Sequence, residues 1–283
     1  MASEFLSLIR REFLSNIEKE SIYNYLSKGK RLDGRKLLEM RRLKLALNYI
    51  EKAEGSCLAE LGKTKVVAGI KISVGAPYPD MPDKGAFIVN METMPVASPS
   101  FELGPPNEQG IEYARVVDRA IRSAEFIKLE DLVIEPGRYV YLLFIDLYPI
   151  DDHGNLLDAA FYAALGALLV AKVPKVEIEN ERPVIIRDET RPISLNIERI
   201  PIQLSYAKIM DKLILDPNHQ EELIASCRLT MAIAENEIVA IQKSGGGTLD
   251  INDVLTVAKD LKSRADTIKS LIKKQIFVGN NNW

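Results

Sequence analysis

Apolar side chains recur at the spacing that places them on one face of a helix in four parts of the chain. The first lies within residues 1–25, where the apolar positions are Phe5, Ile9, Phe13, Ile17, Ile22 and Tyr25. Three further helices are predicted at 111–126, 156–172 and 251–276. Strands are predicted at 43–51, 56–74, 86–97, 139–150, 202–217 and 227–245, where apolar and polar residues alternate or apolar residues run together.

Turn residues separate these strands, so we expect antiparallel hairpins. The polar, proline-bearing segment 180–201 is predicted to be a connection. A run of strands followed by a helix occurs twice, which favours an α+β fold of two similar halves, each with an antiparallel or mixed sheet plus helices. The predicted boundaries are a helical extension at 1–30, a first half at 31–185 and a second half at 186–283.

The composition is that of a globular protein, with 283 residues, 47% hydrophobic and 27% charged. Its formal net charge of -3 provides no global positive field, so any nucleic-acid binding requires a local basic patch. Two cysteines and two histidines make a structural zinc site unfavourable, and no metal is predicted. The apolar run at 156–173 carries Asp158, which favours a buried core helix over a membrane span. We expect a soluble, cytoplasmic protein.

Two loops resemble binding motifs. The segment KSGGGTLD at 243–250 lacks the Lys-Ser/Thr end of a phosphate-binding loop, so we interpret it as a turn before a helix capped by Asp250 or Asn252. Asp151, Asp152 and His153 are adjacent in one loop, and metal ligands must converge from several elements. A turn that begins a helix is the favoured interpretation.

Three arginines, which we call the arginine stripe, share one face of the predicted helix at 111–126. They are Arg115, Arg119 and Arg122, spaced so that successive guanidinium groups lie along a narrow band. Such a band suits successive phosphates, because each planar group can bind two oxygens. The alternative is that Glu112 and Asp118, at helical spacing, pair with the arginines on a solvated face.

The segment LILDPNHQEELIASCRL at 213–229 has the acids needed for metal binding or proton transfer. Asp216, Glu221 and Glu222 come first, and Arg228 follows six residues after Glu222, where one further carboxylate would complete a site. Arginine has only donors and stays protonated, so it neither binds Mg²⁺ nor acts as an acid.

Taken together, four segments resemble the RNase PH-like family, and within it the ring subunits of the exosome. They are RLDGR, GSCLAELGKTKVVAG, LVIEPGRYVYLLFIDLYPIDDHGNLLDAA and LILDPNHQEE. The resemblance implies a ribosomal protein S5 domain 2-like fold in two halves, a ring of six and phosphorolytic trimming of RNA from the 3′ end. It also implies an arginine pair for phosphate and a carboxylate set at the active site. This chain has Arg228 in place of the carboxylate and Glu108, Gln109 and Gly110 in place of the arginines, so no catalytic residue is predicted.

The chain is most similar to the non-catalytic ring subunit of the archaeal exosome. That resemblance implies a trimer of heterodimers with a catalytic RNase PH-like subunit, RNA-binding cap subunits, and single-stranded RNA held by Arg115, Arg119 and Arg122. Phosphate and any divalent cation are expected on the catalytic partner. For the basic cluster of Lys28, Lys30, Arg31 and Arg35, subunit packing or plain solvation is favoured over RNA contact.

Two other functions remain open on sequence grounds. One is an active phosphorolytic exoribonuclease that works as a homo-oligomer, with Asp216, Glu221 and Glu222 as an alternative acid site and Arg115 recruited for phosphate. The other is an α+β enzyme acting on a small molecule, against which the absence of a cofactor loop or nucleophile motif weighs.

Overall fold

The first half of the chain is a mixed sheet with two helices on it. The computed structural model describes residues 14–279. Before the sheet lies helix α1 (Asn16–Ser27), and the first half then contains β1 (Leu43–Leu47), β2 (Gly55–Leu61), β3 (Thr64–Gly75), β4 (Ala86–Met91), α2 (Glu108–Ser123), β5 (Val133–Glu135), β6 (Tyr139–Asp151) and α3 (Leu156–Val170). The strand order is β1-β2-β3-β6-β4, with β5 beside β6, and β4 runs parallel to β6 while the other pairs are antiparallel.

The second half repeats the arrangement with an antiparallel sheet. Between the two sheets lie β7 (Lys172–Glu179) and β8 (Arg182–Pro192), and the second half then contains β9 (Ile202–Ile209), β10 (Lys212–Leu215), α4 (His219–Ile224), β11 (Cys227–Ala234), β12 (Glu237–Ser244) and α5 (Ile251–Gly279). Four strands form a sheet in the order β10-β9-β11-β12, and α5 packs on β9 and β11. The predicted α+β class with two sheet-and-helix halves is confirmed.

Helix α3 lies at the centre of the molecule. Every residue from Leu156 to Leu168 is buried, because the helix packs on β2 and β3 on one side and on β9 on the other. A helix that is apolar all round needs such a position between layers. Gly166 permits the close approach, since a Cβ there would meet the sulfur of Cys57 at 2.5 Å. Within the described part of the chain, no helix is both long and apolar enough to cross a membrane.

Helix α1 packs on the second half rather than the first. Its Ile22 and Leu26 form a small cluster with Ile209 and Ile214 of β9 and β10, separate from the main core. The main core is continuous through both halves, from β1 to α5. The predicted helical residues Phe5, Ile9 and Phe13 lie outside the described residues.

One predicted element is wrong. The segment predicted as a connection at 180–201 contains β8, which pairs with β7 as an antiparallel ribbon. The ribbon tolerates a proline in each strand. Pro174 of β7 lies at a register shift and Pro183 of β8 lies next to the turn, so the missing N–H groups cost few hydrogen bonds between the strands. The predicted boundary between residues 185 and 186 falls inside β8 and stays a prediction.

Candidate nucleic-acid interface

Helix α2 displays the arginine stripe because its opposite face is apolar. Asn107 begins the helix by accepting a hydrogen bond from the Gly110 amide at 2.8 Å. Val117, Ala120 and Ile121 are fully buried against the first sheet. All three arginines of the stripe are therefore left exposed at the surface.

The three arginines differ in how their charge is used. Arg122 donates two hydrogen bonds to Asp118, at 2.6 and 3.0 Å, and one to the carbonyl of Phe87 at 3.1 Å. Its guanidinium also lies 4.0 Å from the centre of the Phe87 ring. The pairing of Asp118 with the stripe, one of the two alternatives, is thus present, but it involves Arg122 alone.

Arg119 and Arg115 have no carboxylate partner among residues 14–279, so their charge is not neutralised there. Arg119 donates one hydrogen bond, from Nη2 to Oε1 of Gln242 at 2.9 Å. Arg115 has no hydrogen bond or ion pair with any residue that the structure describes. Glu112, the other predicted counter-ion, instead accepts hydrogen bonds from Ser244 and Gln242 of β12. Arg115 and Arg119 can therefore bind anions.

The acid segment, in contrast, is occupied by the protein's own cations. Asp216 is fully buried at the end of β10 and adopts a left-handed conformation, with φ of 52°. Both its carboxylate oxygens accept bonds from Arg41, at 2.7 and 2.8 Å, and one also accepts from Arg35 at 3.0 Å. Burial would raise the pKa of Asp216, but the bonds and charge of Arg41 outweigh it and hold that pKa below its usual value.

Glu221 is also structural. It begins α4 in a capping box with Asn218, in which each residue's side chain bonds the other's amide. Its carboxylate forms a buried ion pair with Arg31, which further donates to the carbonyls of Leu215 at 2.7 Å and Asp216 at 2.9 Å. We call this arrangement of Arg31, Arg35 and Arg41 with Asp216 and Glu221 the N-terminal clasp.

The clasp decides the role of the basic cluster in RLDGR. Arg31 is 1% exposed and bonded within its own chain, so its role is intramolecular, whereas Lys28 and Lys30 are exposed and their predicted role in subunit packing or solvation stays a prediction. The turn at Asp151 to His153 is held in the same place, because Arg41 donates to the carbonyls of His153 and Gly154, both at 3.0 Å. Only glycine fits at position 154, since a Cβ would meet the His219 nitrogen at 2.3 Å.

Glu222 and Arg228 form the last part of the acid segment. Arg228 Nη1 lies 3.3 Å from the Glu222 carboxylate and donates to the Tyr113 hydroxyl at 2.8 Å, with its guanidinium 4.9 Å from the Tyr113 ring centre. Gln109 also donates to the Tyr113 hydroxyl, at 2.9 Å. Burial raises the pKa of Glu222, although the charge of Arg228 acts in the opposite direction. Burial alone would lower the pKa of Arg228, but Tyr113 and Glu222 outweigh it and raise that pKa.

The Tyr113 hydroxyl therefore contacts both positions at which this sequence differs from the residues expected in an active family member. Gln109 takes the place expected for a phosphate-binding arginine, and Arg228 takes the place expected for a carboxylate; both bond one hydroxyl. The Arg228 guanidinium lies directly beside Glu222, and an arginine there can neither bind a metal ion nor give up a proton. Among residues 14–279 no group of three histidine, cysteine or acidic side chains is placed to hold a metal ion.

The sequence interpretation missed Gln242, Ser244 and Tyr113. Gln242 and Ser244 lie two residues apart at the polar end of β12, so their side chains share one face, and that spacing was the available signal. Tyr113 carried no signal, because it is buried on α2 among apolar neighbours.

Comparisons with known proteins show what the whole chain is similar to. The model of the 3′ exoribonuclease family matches residues 39–174 with its domain 1 and residues 199–259 with its domain 2. A protein named Exosome complex component Rrp42 from Thermococcus gammatolerans is 42% identical over 267 residues, which cover 94% of this chain and 97% of that protein. A chain of the Archaeoglobus fulgidus exosome with RNA bound to the active site superposes with a TM-score of 0.82 at 38% identity, covering 94% of this chain and 98% of that chain. A chain of an archaeal exosome core gives 0.78 at 35% identity, covering 96% and 100%.

Proposed function

The chain belongs to the 3′ exoribonuclease family of RNase PH-like proteins, and from this membership we propose that it is the non-catalytic, RNA-binding ring subunit of an archaeal exosome. Its relatives are named exosome components, and its structural neighbours are exosome chains. In such a ring it supports 3′-to-5′ phosphorolytic degradation of RNA by a catalytic RNase PH-like subunit.

One observation carries the non-catalytic assignment, namely the ion pair of Arg228 with Glu222 and its bond to Tyr113. A guanidinium fixed at that point repels a divalent cation and cannot deliver a proton. The remaining acids are not free to replace the missing group, because Asp216 and Glu221 are saturated by the N-terminal clasp. These contacts argue against the alternative of an active homo-oligomer.

RNA contact is proposed at Arg115 and Arg119 first and at Arg122 third. The first two guanidinium groups are exposed with no carboxylate partner among the described residues, whereas Arg122 is paired with Asp118. Contacts of this kind hold phosphates and not base edges, so the binding is independent of sequence and sensitive to salt.

The partners follow from the same proposal. The chain alternates with the catalytic subunit in a trimer of heterodimers in the cytoplasm, with RNA-binding cap subunits above the ring. Inorganic phosphate and any divalent cation belong to the catalytic partner, and single-stranded RNA passes the stripe on its way to that site.

The test is phosphate-dependent release of nucleoside diphosphates from a 3′-tailed RNA. We expect none from the purified protein, none from Arg228→Asp, because phosphate arginines are also missing, and release once the catalytic subunit is added. The mixture is the positive control for RNA and buffer. Release by the protein alone, abolished by Asp216→Asn, would overturn the proposal in favour of the active homo-oligomer.

A further inference from the structure

We propose that Gln242, in the second half, is a positioning residue that holds Arg119 in the orientation in which it binds an RNA phosphate. The inference rests on the proposed function, since it concerns how the stripe meets RNA. It adds a residue from strand β12 to a surface that otherwise belongs to helix α2.

The Gln242 backbone is fixed by its sheet. It lies in β12, where it pairs with Thr230 of the neighbouring strand β11, and its side chain points toward α2. The side chain is half-buried, so it is held between the two elements instead of moving freely in solvent.

The orientation of the Gln242 amide is determined by Glu112. The Nε2 group donates to Oε1 of Glu112 at 3.2 Å, and a carboxylate accepts hydrogen bonds without donating them. The amide nitrogen must therefore face Glu112, which leaves Oε1 facing the Arg119 Nη2 at 2.9 Å. Ser244 donates to the same Glu112 oxygen and fixes the carboxylate in turn.

A neutral amide has a particular advantage at this place. It orients Arg119 through one N–H and leaves the full positive charge and the other four N–H groups for a ligand. Asp118 does the opposite to Arg122, because its carboxylate neutralises the charge that it orients. Fixing an arginine side chain beforehand also removes part of the rotamer entropy that binding would otherwise cost.

The experiment is a double-mutant cycle on the ring assembled with the catalytic subunit. Binding of a fluorescent oligoadenylate is measured by anisotropy at several salt concentrations for the wild type, Arg119→Ala, Gln242→Ala and the double variant. Gln242→Glu is the fourth variant, because it keeps the shape of the side chain and gives Arg119 a carboxylate. Size-exclusion chromatography confirms that each ring is assembled.

We expect Gln242→Ala to weaken binding about threefold, the effect of one hydrogen bond, with little change in the salt slope. Arg119→Ala should weaken it more and reduce the salt slope by about 0.7, one phosphate contact on a single strand. Gln242→Glu should reduce the slope as Arg119→Ala does. In the Arg119→Ala background, Gln242→Ala should have no further effect.

Different outcomes contradict the RNA contact of the stripe and the positioning role of Gln242. If Arg119→Ala leaves affinity and slope unchanged, the stripe does not bind RNA there and the proposed RNA contact fails. If Arg119→Ala weakens binding but Gln242→Ala does not, or weakens it equally in both backgrounds, Gln242 is no positioning residue and only this inference fails.

Discussion

The N-terminal clasp and the arginine stripe each use three arginines, and they use them in opposite ways. In the clasp, Arg31, Arg35 and Arg41 are almost wholly enclosed. They pair with Asp216 and Glu221, and Arg35 pairs with Asp33 as well. In the stripe the guanidinium groups are exposed, and a single carboxylate bonds one of the three. Burial and partner therefore decide whether an arginine serves the fold or a ligand, and sequence spacing decides neither.

The largest expected effect is on the clasp. Arg31→Ala leaves Glu221 buried without a counter-charge, which should cost about 3–5 kcal/mol in the free energy of unfolding, measured by urea denaturation. Arg115→Ala is the matched control and should leave the unfolding midpoint unchanged. If Arg31→Ala lowers the free energy of unfolding by less than about 1 kcal/mol, the clasp does not stabilise the fold, and the contrast between clasp and stripe is wrong.

The next effect is the dependence of the free energy of unfolding on pH that the buried Asp158 causes. Burial raises the pKa of Asp158 to about 6, against hydrogen bonds from Asn155 and Ser205. Because the folded pKa lies above the unfolded value of about 3.9, the stability that this group contributes is present below pH ~4 and is lost as pH rises through ~6.

The variant Asp158→Asn isolates that contribution. Among the described residues the buried Oε1 of Gln203 has no hydrogen-bond donor, while its Nε2 donates to Asp158. Rotating the Gln203 amide by half a turn lets that oxygen accept a hydrogen bond from the new NH₂ group. We expect the variant to gain about 2–3 kcal/mol relative to the wild type between pH 4 and pH 7 in denaturation experiments. Asp216 belongs to the same measurement, because its charge is one of the causes that raise the pKa of Asp158. A difference that does not vary with pH would show that Asp158 has an ordinary pKa.

The smallest expected effect is a difference in RNA affinity between variants of the arginine stripe. Arg115→Ala should weaken RNA binding by the assembled ring about threefold to tenfold and lower the salt slope by about 0.7. Arg122→Ala should change affinity less than about twofold, because Asp118 already neutralises that charge, while lowering the unfolding midpoint slightly. If Arg122→Ala has the larger effect on RNA, exposure and pairing do not predict function on this helix.

Much of the fold follows from local pattern, and the exceptions have physical causes. Helices α2 and α3 begin and end within a few residues of their predictions, because their periodic apolar faces match the layers they pack against. The β7–β8 ribbon was missed because prolines and charges mark a connection in a single sequence.

The candidate site was predictable only in part. The arginine stripe is a property of one helix, so its spacing is visible in the sequence. The partners of Arg31 and Arg119 are not, since Arg31 meets Glu221 190 residues away and Arg119 meets Gln242 123 residues away. Contacts between residues so far apart in the chain are invisible in the spacing along one helix, whereas the pair of Arg122 with Asp118 is local.

The clasp also has a consequence for the order of events during synthesis. At about 5–20 residues per second, the ribosome needs on the order of 10–40 s to make the 190 residues between Arg31 and Glu221. Throughout that interval Arg31 lacks its partner Glu221, and Arg35 alone of the three arginines has a carboxylate partner close in sequence, Asp33. Closure of the clasp is therefore a late step, and it reports that translation has passed α4.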